Sequence, residues 1–374
     1  MALLGGLFLT SLDWAQTTRR TYPFLIYLLP IAGFGMAYAY HRWGTEISRG
    51  NNLVIQQINF PKGTISWLMA PFIFFSTIAT HLFGGSAGRE GTAIQMGASV
   101  ADQLSLFFKH LQNYKSIILK CGVAAGFSAV FGTPLAALFF AFEFSKQKII
   151  NIYSFLPIAF SSFLAFYFTK IAGLKHSEYS LGIVPSITIT SIFWTLISGV
   201  VFGLCAWFFC IGMEFTQKYF EKIKYPPFRT CLGGLVFVGI VVVFGTENTE
   251  KYHGLGLDHI ALSFSTKVSS YDFLIKMILT LLVLGSGFKG GEVTPLFFIG
   301  ATLGSALSAF IPIELGLLAA MGFIAVFSAA AKTPLACIIM GAELFGFEGS
   351  IYFILVCFVA FFVSGKKGIY KVVH

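Results

Sequence analysis

The residue best placed to do chemistry in this sequence is Glu90, which lies in a glycine-rich stretch, Gly84–Gly97. Glycines leave the backbone free to turn and to approach a ligand closely. From Thr92 onward the pattern predicts a helix, so Glu90 lies at a helix start, where free N–H groups and the positive dipole end favour an anion. An ionised carboxylate can fill such a site, and a protonated one can leave it to a free anion. These properties suit Glu90 to act as both gate and proton carrier.

The alternative for Glu90 is an acidic helix cap or a buried pair with Arg89. A second carboxylate, Glu292, follows another glycine-rich break, Gly285–Gly300, and also stands where a helix is predicted to begin. As an anion Glu292 would repel a transported anion, whereas the protonated group would donate a hydrogen bond to it. The alternative here is an N-terminal helix cap without a role in transport. A third break, Gly50–Val54 (GNNLV), is by residue type a connecting turn.

The composition indicates that these breaks belong to an integral membrane protein. Charged residues make up 11% of the chain and hydrophobic residues 56%, with a mean hydropathy of +0.80, whereas soluble proteins contain about 25% charged residues. The net charge of +9 lies in short basic clusters, which suit cytoplasmic loops better than a nucleic-acid-binding face. No signal peptide is expected, because no basic region followed by a cleavage site opens the chain. The clusters are Arg19–Arg20, Lys146/Lys148, Lys218–Arg229 and Lys366–Lys371.

Apolar stretches recur along nearly the whole chain and predict a series of membrane helices after a short interfacial segment over residues 1–20. Residues 170–188 are polar enough to be a loop. The predicted helices are Tyr22–Tyr40, Ser66–Phe83, Thr92–Phe108, Ile149–Thr169, Ile189–Phe215, Thr230–Phe244 and Phe273–Leu284.

The sequence contains an internal duplication with an offset of about 200 residues. The segment TPLA occurs at Thr133–Ala136 and again at Thr333–Ala336. At the first copy Gly132–Pro134 interrupts two helical runs, and Pro134 suits the first turn of a new helix. Each copy is followed by a glutamate nine residues after its proline, Glu143 and Glu343, and the two carboxylate breaks show nearly the same offset. Signals in register at half the chain length indicate a repeat. Broken helices at corresponding positions are typical of a transporter whose site lies between the repeats, although hydropathy alone leaves open whether the halves are inverted.

With these motifs placed, the chain resembles the CLC family of chloride channels and anion/proton antiporters over roughly Gly50 to Tyr370. Gly88–Thr92 (GREGT) is similar to the family's GREGP gating motif, which makes Glu90 the external gating glutamate. Gly50–Val54 falls where the family has GSGIP, and this places Asn51 at the position of the anion-coordinating serine.

The remaining motifs of the resemblance lie in the second half. Gly291–Pro295 (GEVTP) falls on the family's GxFxP element, with Val293 in place of the phenylalanine. The segment Ser364–Tyr370 resembles the family's last helix, whose tyrosine hydroxyl holds the central anion, and Tyr370 inherits that role. The resemblance therefore implies an anion-binding set, which consists of Asn51, Gly91, Thr92, Val293, Thr294 and Tyr370.

Departures from the family pattern point to one branch of it. The chloride-coordinating serine is replaced by Asn51, and Glu292 has entered the second anion motif, as in the fluoride-selective branch. The internal proton-handling glutamate of chloride antiporters would fall on Phe144, next to Glu143, so the usual internal proton route lacks its glutamate here.

The resemblance implies an all-α polytopic membrane protein with the CLC-type fold, two inverted structural repeats and broken helices. We expect one domain over 1–374, with halves at roughly 20–180 and 185–374, no C-terminal regulatory domain, and a homodimer. The implied function is fluoride/proton antiport that exports fluoride across a bacterial inner membrane, with Glu90 and Glu292 as the two coupling carboxylates. The alternatives are a chloride/proton antiporter or a CLC-type chloride channel.

Other functional classes are less consistent with the sequence. An intramembrane enzyme is disfavoured because no His-rich metal pattern or Ser/His pairing accompanies the carboxylates. A scaffold is disfavoured because charged helix breaks are costly in a membrane. The six cysteines lie in or beside apolar segments without metal-ligand spacing, so we expect packing residues and neither a metal nor another cofactor.

Overall fold

The computed structural model describes residues 1–145, 151–174 and 179–370, and this part of the chain forms 17 α-helices and no β-strand. The Lys146/Lys148 cluster and Lys371 lie outside the described residues. The helices of the first half are α1 (Ala2–Thr21), α2 (Leu29–Trp43), α3 (Asn51–Asn59), α4 (Met69–Leu82), α5 (Glu90–Leu106), α6 (Lys115–Phe131), α7 (Pro134–Phe144) and α8 (Ile152–Ile171). Those of the second half are α9 (Ile189–Glu221), α10 (Pro226–Phe244), α11 (Thr246–Thr249), α12 (Leu257–Ser265), α13 (Asp272–Gly285), α14 (Val293–Leu307), α15 (Leu315–Ala331), α16 (Pro334–Phe345) and α17 (Ser350–Val363).

Among the described residues, five helical stretches are long and apolar enough to cross a membrane, and four of them overlap predicted spans. Several other apolar helices, such as α7 and α14, have only 10–17 residues. Helix α7 begins at Pro134 and α14 begins directly after Glu292, so breaks in the apolar sequence leave both shorter than a full membrane span. The long stretches are Pro23–Trp43, His110–Phe131, Ile152–Ile171, Ile189–Glu221 and Pro226–Phe244.

The predicted helix breaks are confirmed. Helix α5 begins at Glu90, and Glu292 is the residue that immediately precedes α14. Helix α6 ends at Gly132, whose φ of +72° lies in the left-handed region that glycine adopts freely. Pro134 then opens α7, where its missing N–H removes no helical hydrogen bond. The second half repeats this break, with Pro334 opening α16.

Helix lengths repeat between the halves in the order that the duplication predicts. Helices α3 and α12 both have 9 residues, α4 and α13 both have 14, and α6 and α15 both have 17. The crossings repeat as well: a Cβ on Gly97 of α5 would lie 2.1 Å from the Gly122 carbonyl oxygen, and a Cβ on Gly300 of α14 would lie 2.0 Å from that of Gly322. Only glycine permits such close helix contact, so both halves pack their central helix pair in the same way.

Two glutamates show that the halves are inverted. Glu143 at the end of α7 accepts two hydrogen bonds from the first turn of α16, and Glu343 near the end of α16 does the same for α7. Since the end of each helix meets the start of the other, these counterpart helices are antiparallel. The donors are Leu335 N (3.1 Å) and Ala336 N (2.8 Å) to Glu143, and Leu135 N (2.9 Å) and Ala136 N (2.8 Å) to Glu343.

The N-terminal segment, expected to be a short interfacial segment over residues 1–20, forms a helix of that length that packs against the rest of the fold. Helix α1 has 20 residues, and it buries Phe8 and Leu12 against Phe74 of α4. At its end, Arg20 forms ion pairs with Glu250 and Asp258, which follow α10. The basic segment Lys218–Arg229 lies at the other end of α10, about 28 Å away for a 19-residue helix. The basic clusters therefore do not all lie on one side.

Candidate functional site

The two glycine-rich breaks meet in the buried interior of the protein. Gly88 N–H donates to the Gly291 carbonyl oxygen at 2.6 Å, and Gly291 N–H donates to that of Gly88 at 2.7 Å. A Cβ on Gly88 would lie 2.8 Å from that same Gly291 oxygen, and a Cβ on Gly291 would lie 2.8 Å from the Gly91 nitrogen. Both positions thus require glycine, and their pairing holds the starts of α5 and α14 together.

Glu90 uses this proximity to reach the other half of the molecule. Its carboxylate accepts a hydrogen bond from Thr294 N–H at 3.1 Å and another from the Thr294 hydroxyl, in the first turn of α14. Arg89 contributes its backbone N–H at 3.1 Å, and its Nε lies 3.5 Å from the carboxylate. The side chain is 1% exposed. The Glu90 carboxylate therefore occupies a helix N-terminus, but that of α14 and not of its own helix, and the pair with Arg89 forms as well.

A large cavity, here called the vestibule, opens beside this junction. It has a volume of about 880 Å³, and Asn51, Glu292 and Tyr370 line it. A second cavity of about 30 Å³, here called the gate pocket, is lined by Glu90 and Thr294. The two carboxylates thus line different cavities.

Asn51 and Glu292 both lie close to Gly91, in the first turn of α5. A Cβ on Gly91 would lie 3.0 Å from Asn51 Nδ2 and 3.6 Å from Glu292 Oε2. Asn51 reaches this point because Gly50, with φ at +55°, turns the chain sharply into α3. Asn51 Oδ1 and Glu292 Oε2 are buried and have no hydrogen-bond partner within the described ranges. An amide and a carboxyl group with unused capacity therefore converge beside the start of α5.

Tyr370 comes to the vestibule on a segment that is not helical, since α17 ends at Val363, so the last helix implied by the resemblance does not cover Gly365–Tyr370. Ile369 N–H donates to the Ala330 carbonyl oxygen at 2.9 Å, which ties the segment to the end of α15. Lys332 Nζ donates to Ser364 Oγ and to the Gly365 carbonyl oxygen, both at 2.6 Å. These contacts set the position of the Tyr370 ring, which is 2% exposed.

Not every residue of the expected anion-binding set reaches a cavity with its side chain. The Thr92 hydroxyl shares a hydrogen bond of 2.7 Å with Thr77, and its side chain is fully buried. Val293 is also fully buried and offers only its backbone N–H. Gly91 has no side chain and acts by letting Asn51 and Glu292 approach. Thr294 contributes both a hydroxyl and a backbone N–H, and both are bound by Glu90.

Other polar residues also line the vestibule, among them Gln95, which the sequence analysis did not single out, and Lys289. Gln95 follows Glu90 on α5, and its amide lies beside Gly50. Lys289 Nζ donates to the Ser48 carbonyl oxygen at 3.1 Å and lies 4.5 Å from the centre of the Tyr40 ring. The sequence contains a signal that could have identified Gln95 as a site residue, because it is a polar residue in the largely apolar first turns of α5.

Comparison with known proteins agrees with this architecture. The family described as voltage gated chloride channel matches residues 32–365. A chloride/fluoride channel protein of Pseudomonas syringae pv. tomato is 41% identical over 378 aligned residues, which cover 99% of this chain and 84% of the relative. An H(+)/Cl(-) exchange transporter, ClcA, of Yersinia pestis bv. Antiqua is 27% identical over 74% of this chain and 61% of its own length.

Solved structures show the same fold. The crystal structure of a CLC-type fluoride/proton antiporter matches with a TM-score of 0.95 and 35% identity, over 99% of this chain and 94% of that one. A slow cyanobacterial Cl-/H+ antiporter matches with a TM-score of 0.83 at 20% identity, over 97% and 91% of the two chains. Together with the paired breaks and the inverted halves, these matches show that the chain is a member of the CLC family of chloride channels and anion/proton antiporters.

Proposed function

We propose that this protein exchanges fluoride for protons and exports fluoride across a bacterial cell membrane, which confers resistance to fluoride. The observation that carries the proposal is the convergence of Asn51 Nδ2 and Glu292 Oε2 beside Gly91. The relatives agree with it, since the antiporter at 35% identity is named for fluoride and protons and the relative at 41% identity for chloride and fluoride. The chloride/proton exchangers among the matches described above are more distant, at 27% and 20% identity.

The chemistry of fluoride explains why this arrangement suits it. Fluoride is small, strongly hydrated and a strong hydrogen-bond acceptor, so a binding site must replace its water with compact donors. The Asn51 amide provides such donors, and the Thr294 hydroxyl and N–H provide two more once Glu90 leaves them. The Tyr370 hydroxyl belongs to the same proposed set, at the vestibule.

The two carboxylates provide the proposed coupling. Protonation of Glu90 removes its charge-assisted hydrogen bonds to Thr294 and frees the N-terminus of α14 for fluoride. Glu90 returns to that site only after it has lost the proton and fluoride has left, so the ionised carboxylate and fluoride occupy the N-terminus of α14 alternately. Glu292 performs the matching step at the vestibule, where its protonated form donates to the anion and its ionised form repels it.

Orientation and assembly are part of the proposal. The vestibule is lined by the basic residues Arg229, Lys366 and Lys367, which favours a cytoplasmic opening in the bacterial inner membrane. We propose a homodimer with one pathway per subunit, as the family resemblance implies. The exposed apolar side chains of α8, such as Leu156 and Phe160, would then lie against lipid or the second subunit.

Efflux from liposomes tests the function directly. Purified protein is reconstituted into vesicles loaded with fluoride or with chloride, and the external halide and external pH are recorded together. We expect fluoride efflux with proton uptake and much slower chloride efflux, with protein-free vesicles as the control. Comparable chloride efflux would favour the chloride/proton antiporter, and halide efflux without proton movement would favour the passive channel.

A further inference from the structure

The vestibule contains a donor that neither the sequence motifs nor the proposed mechanism uses. We propose that Gln95 is a further anion-contacting and selectivity-determining residue, which binds the small anion with its side-chain amide at Gly50 before the anion reaches Asn51. This inference rests on the proposed function for the identity of the anion as fluoride, but the site itself follows from the placement of Gln95.

The position of Gln95 is set by the helix that carries Glu90. Gln95 lies five residues further along α5, about 7.5 Å along the helix axis. A Cβ on Gly50 would lie 3.2 Å from Gln95 Nε2 and 3.4 Å from its Oε1. The amide group therefore covers the turn that leads into α3, directly before Asn51.

The side-chain amide of Gln95 is buried, but its hydrogen-bonding capacity is unused among the described residues. Gln95 is 6% exposed and lines the vestibule, and its side chain forms no hydrogen bond with any other residue in the described part of the chain. Gln103, on the same helix, is in contrast bound to the Ile65 carbonyl oxygen at 2.6 Å. Buried amides are normally satisfied, so the one at Gln95 is available for a ligand in the cavity.

The surroundings favour an anion as that ligand. The start of α3 presents N–H groups and the positive end of a nine-residue helix beside Gly50. Lys289 lines the same cavity and adds a positive charge. A hydrogen-bond donor beside a positive helix end fits a small anion, and Gln95 Nε2, Asn51 Nδ2 and the start of α14 then form successive steps along its path.

Selectivity follows from the kind of donor. A side-chain amide gives compact, directed N–H groups that replace water around a strongly hydrated halide, whereas a larger and more weakly hydrated halide gains less from them. Loss of the amide should therefore weaken fluoride binding more than chloride binding.

The test compares Gln95→Met, which keeps the length but removes the donors, with Gln95→Glu, which keeps the shape but adds a negative charge. Fluoride and chloride binding are measured by titration calorimetry on the purified full-length protein, and fluoride efflux is measured in liposomes. We expect Gln95→Met to weaken fluoride binding about tenfold, and Gln95→Glu to weaken it further, because a hydrogen bond to an ion is lost and then replaced by repulsion. The matched control is Gln217→Met, a glutamine of α9 that lines the vestibule near Gly285.

Folding is checked by the thermal melting temperature of each variant, which we expect to change little. Parent fluoride affinity in Gln95→Met, or an equal loss in Gln217→Met, would overturn the inference. If the parent protein exchanges fluoride for protons and Gln95→Met binds fluoride more weakly, both proposals are supported. If the parent exchanges fluoride for protons and Gln95→Met binds fluoride as the parent does, only the role of Gln95 is removed. If the parent moves chloride instead of fluoride, the proposed function fails, and chloride affinity in Gln95→Met then decides the role of Gln95 separately.

Discussion

The ring of Phe144 lies edge-on against the ring of Tyr370, with centroids 4.9 Å apart and planes at 76°. Phe144 stands at the position where the family resemblance places an internal glutamate, and it is 1% exposed. Phe140 extends the contact, with its centroid 5.3 Å from that of Phe144. An apolar ring therefore supports the Tyr370 side chain at the position where the resemblance implies a proton-handling glutamate in chloride antiporters.

This contact predicts that Phe144 supports the site without carrying protons. Phe144→Leu keeps most of the apolar volume but loses the edge-on ring contact, so we expect a loss of about 1 kcal/mol in unfolding free energy. The number of protons exchanged per fluoride should stay at the parent value. Thermal denaturation in detergent and paired fluoride and pH recordings measure the two effects, and a changed proton-to-fluoride ratio would contradict this reading.

The reciprocal glutamates of α7 and α16 predict a pair of equal stability losses. Glu143→Ala and Glu343→Ala each remove two hydrogen bonds and a negative charge from a helix N-terminus, and we expect each to cost about 1–2 kcal/mol. Glu143→Gln and Glu343→Gln serve as shape-matched controls with smaller losses.

The same geometry predicts how the two losses combine. The caps lie about a helix length apart, roughly 16 Å for the 11 residues of α7, so the double alanine variant should be additive within about 0.5 kcal/mol. Denaturation of the single and double variants under one set of conditions measures this. A strong non-additive term would show that the caps act as one unit across the interface between the halves.

The sequence was sufficient to predict where the helices break. Glycine and proline punctuate apolar runs, and a carboxylate at a break stands out in a chain with 11% charged residues. The helix starts at Glu90 and Pro134, and the break at Glu292, were predicted on this basis and are confirmed. The offset of the motifs likewise predicted paired halves, because duplicated segments keep their local residue types.

What could not be predicted was the choice of partner across the halves. Glu90 binds the N-terminus of α14 through Thr294, 204 residues away, and this depends on the Gly88–Gly291 pairing that only the packed fold creates. The hydrogen bond between the Thr92 and Thr77 hydroxyls could not be predicted for the same reason, since it depends on how the neighbouring helix packs. The buried face of α1, in contrast, has a signal in the sequence, because Phe8, Leu12 and Ala15 recur at helical spacing.

Glu90 should couple the two ions because only its protonation vacates the start of α14. Glu90→Gln keeps the shape but cannot release a proton, so we expect proton-coupled exchange to be abolished. Fluoride-loaded liposomes with external pH recording measure the loss, and Glu247→Gln, in the short helix α11, is a control. Proton pumping driven by a fluoride gradient in Glu90→Gln would remove Glu90 from the mechanism.

Glu292 gives the sharpest prediction, since its buried Oε2 has no partner among the residues described and faces Gly91 beside Asn51. A fixed negative charge there would compete with the transported anion, whereas a protonated carboxyl group donates to it. Glutamine keeps the shape and an N–H donor but cannot exchange a proton, and alanine keeps neither. We therefore expect Glu292→Ala to lose transport and Glu292→Gln to bind fluoride while turning over slowly.

Fluoride binding and turnover must be measured separately for the Glu292 variants, because Glu292→Gln is expected to keep binding but to turn over slowly, whereas Glu292→Ala is expected to lose transport. Titration calorimetry with fluoride gives binding, and liposome efflux gives turnover. Gel filtration and thermal melting establish that each variant is folded and assembled as the parent is. If Glu292→Ala is folded and exchanges fluoride for protons at the parent rate, then Glu292 has no role in transport, and Asn51 and Glu90 must account for the coupling without it.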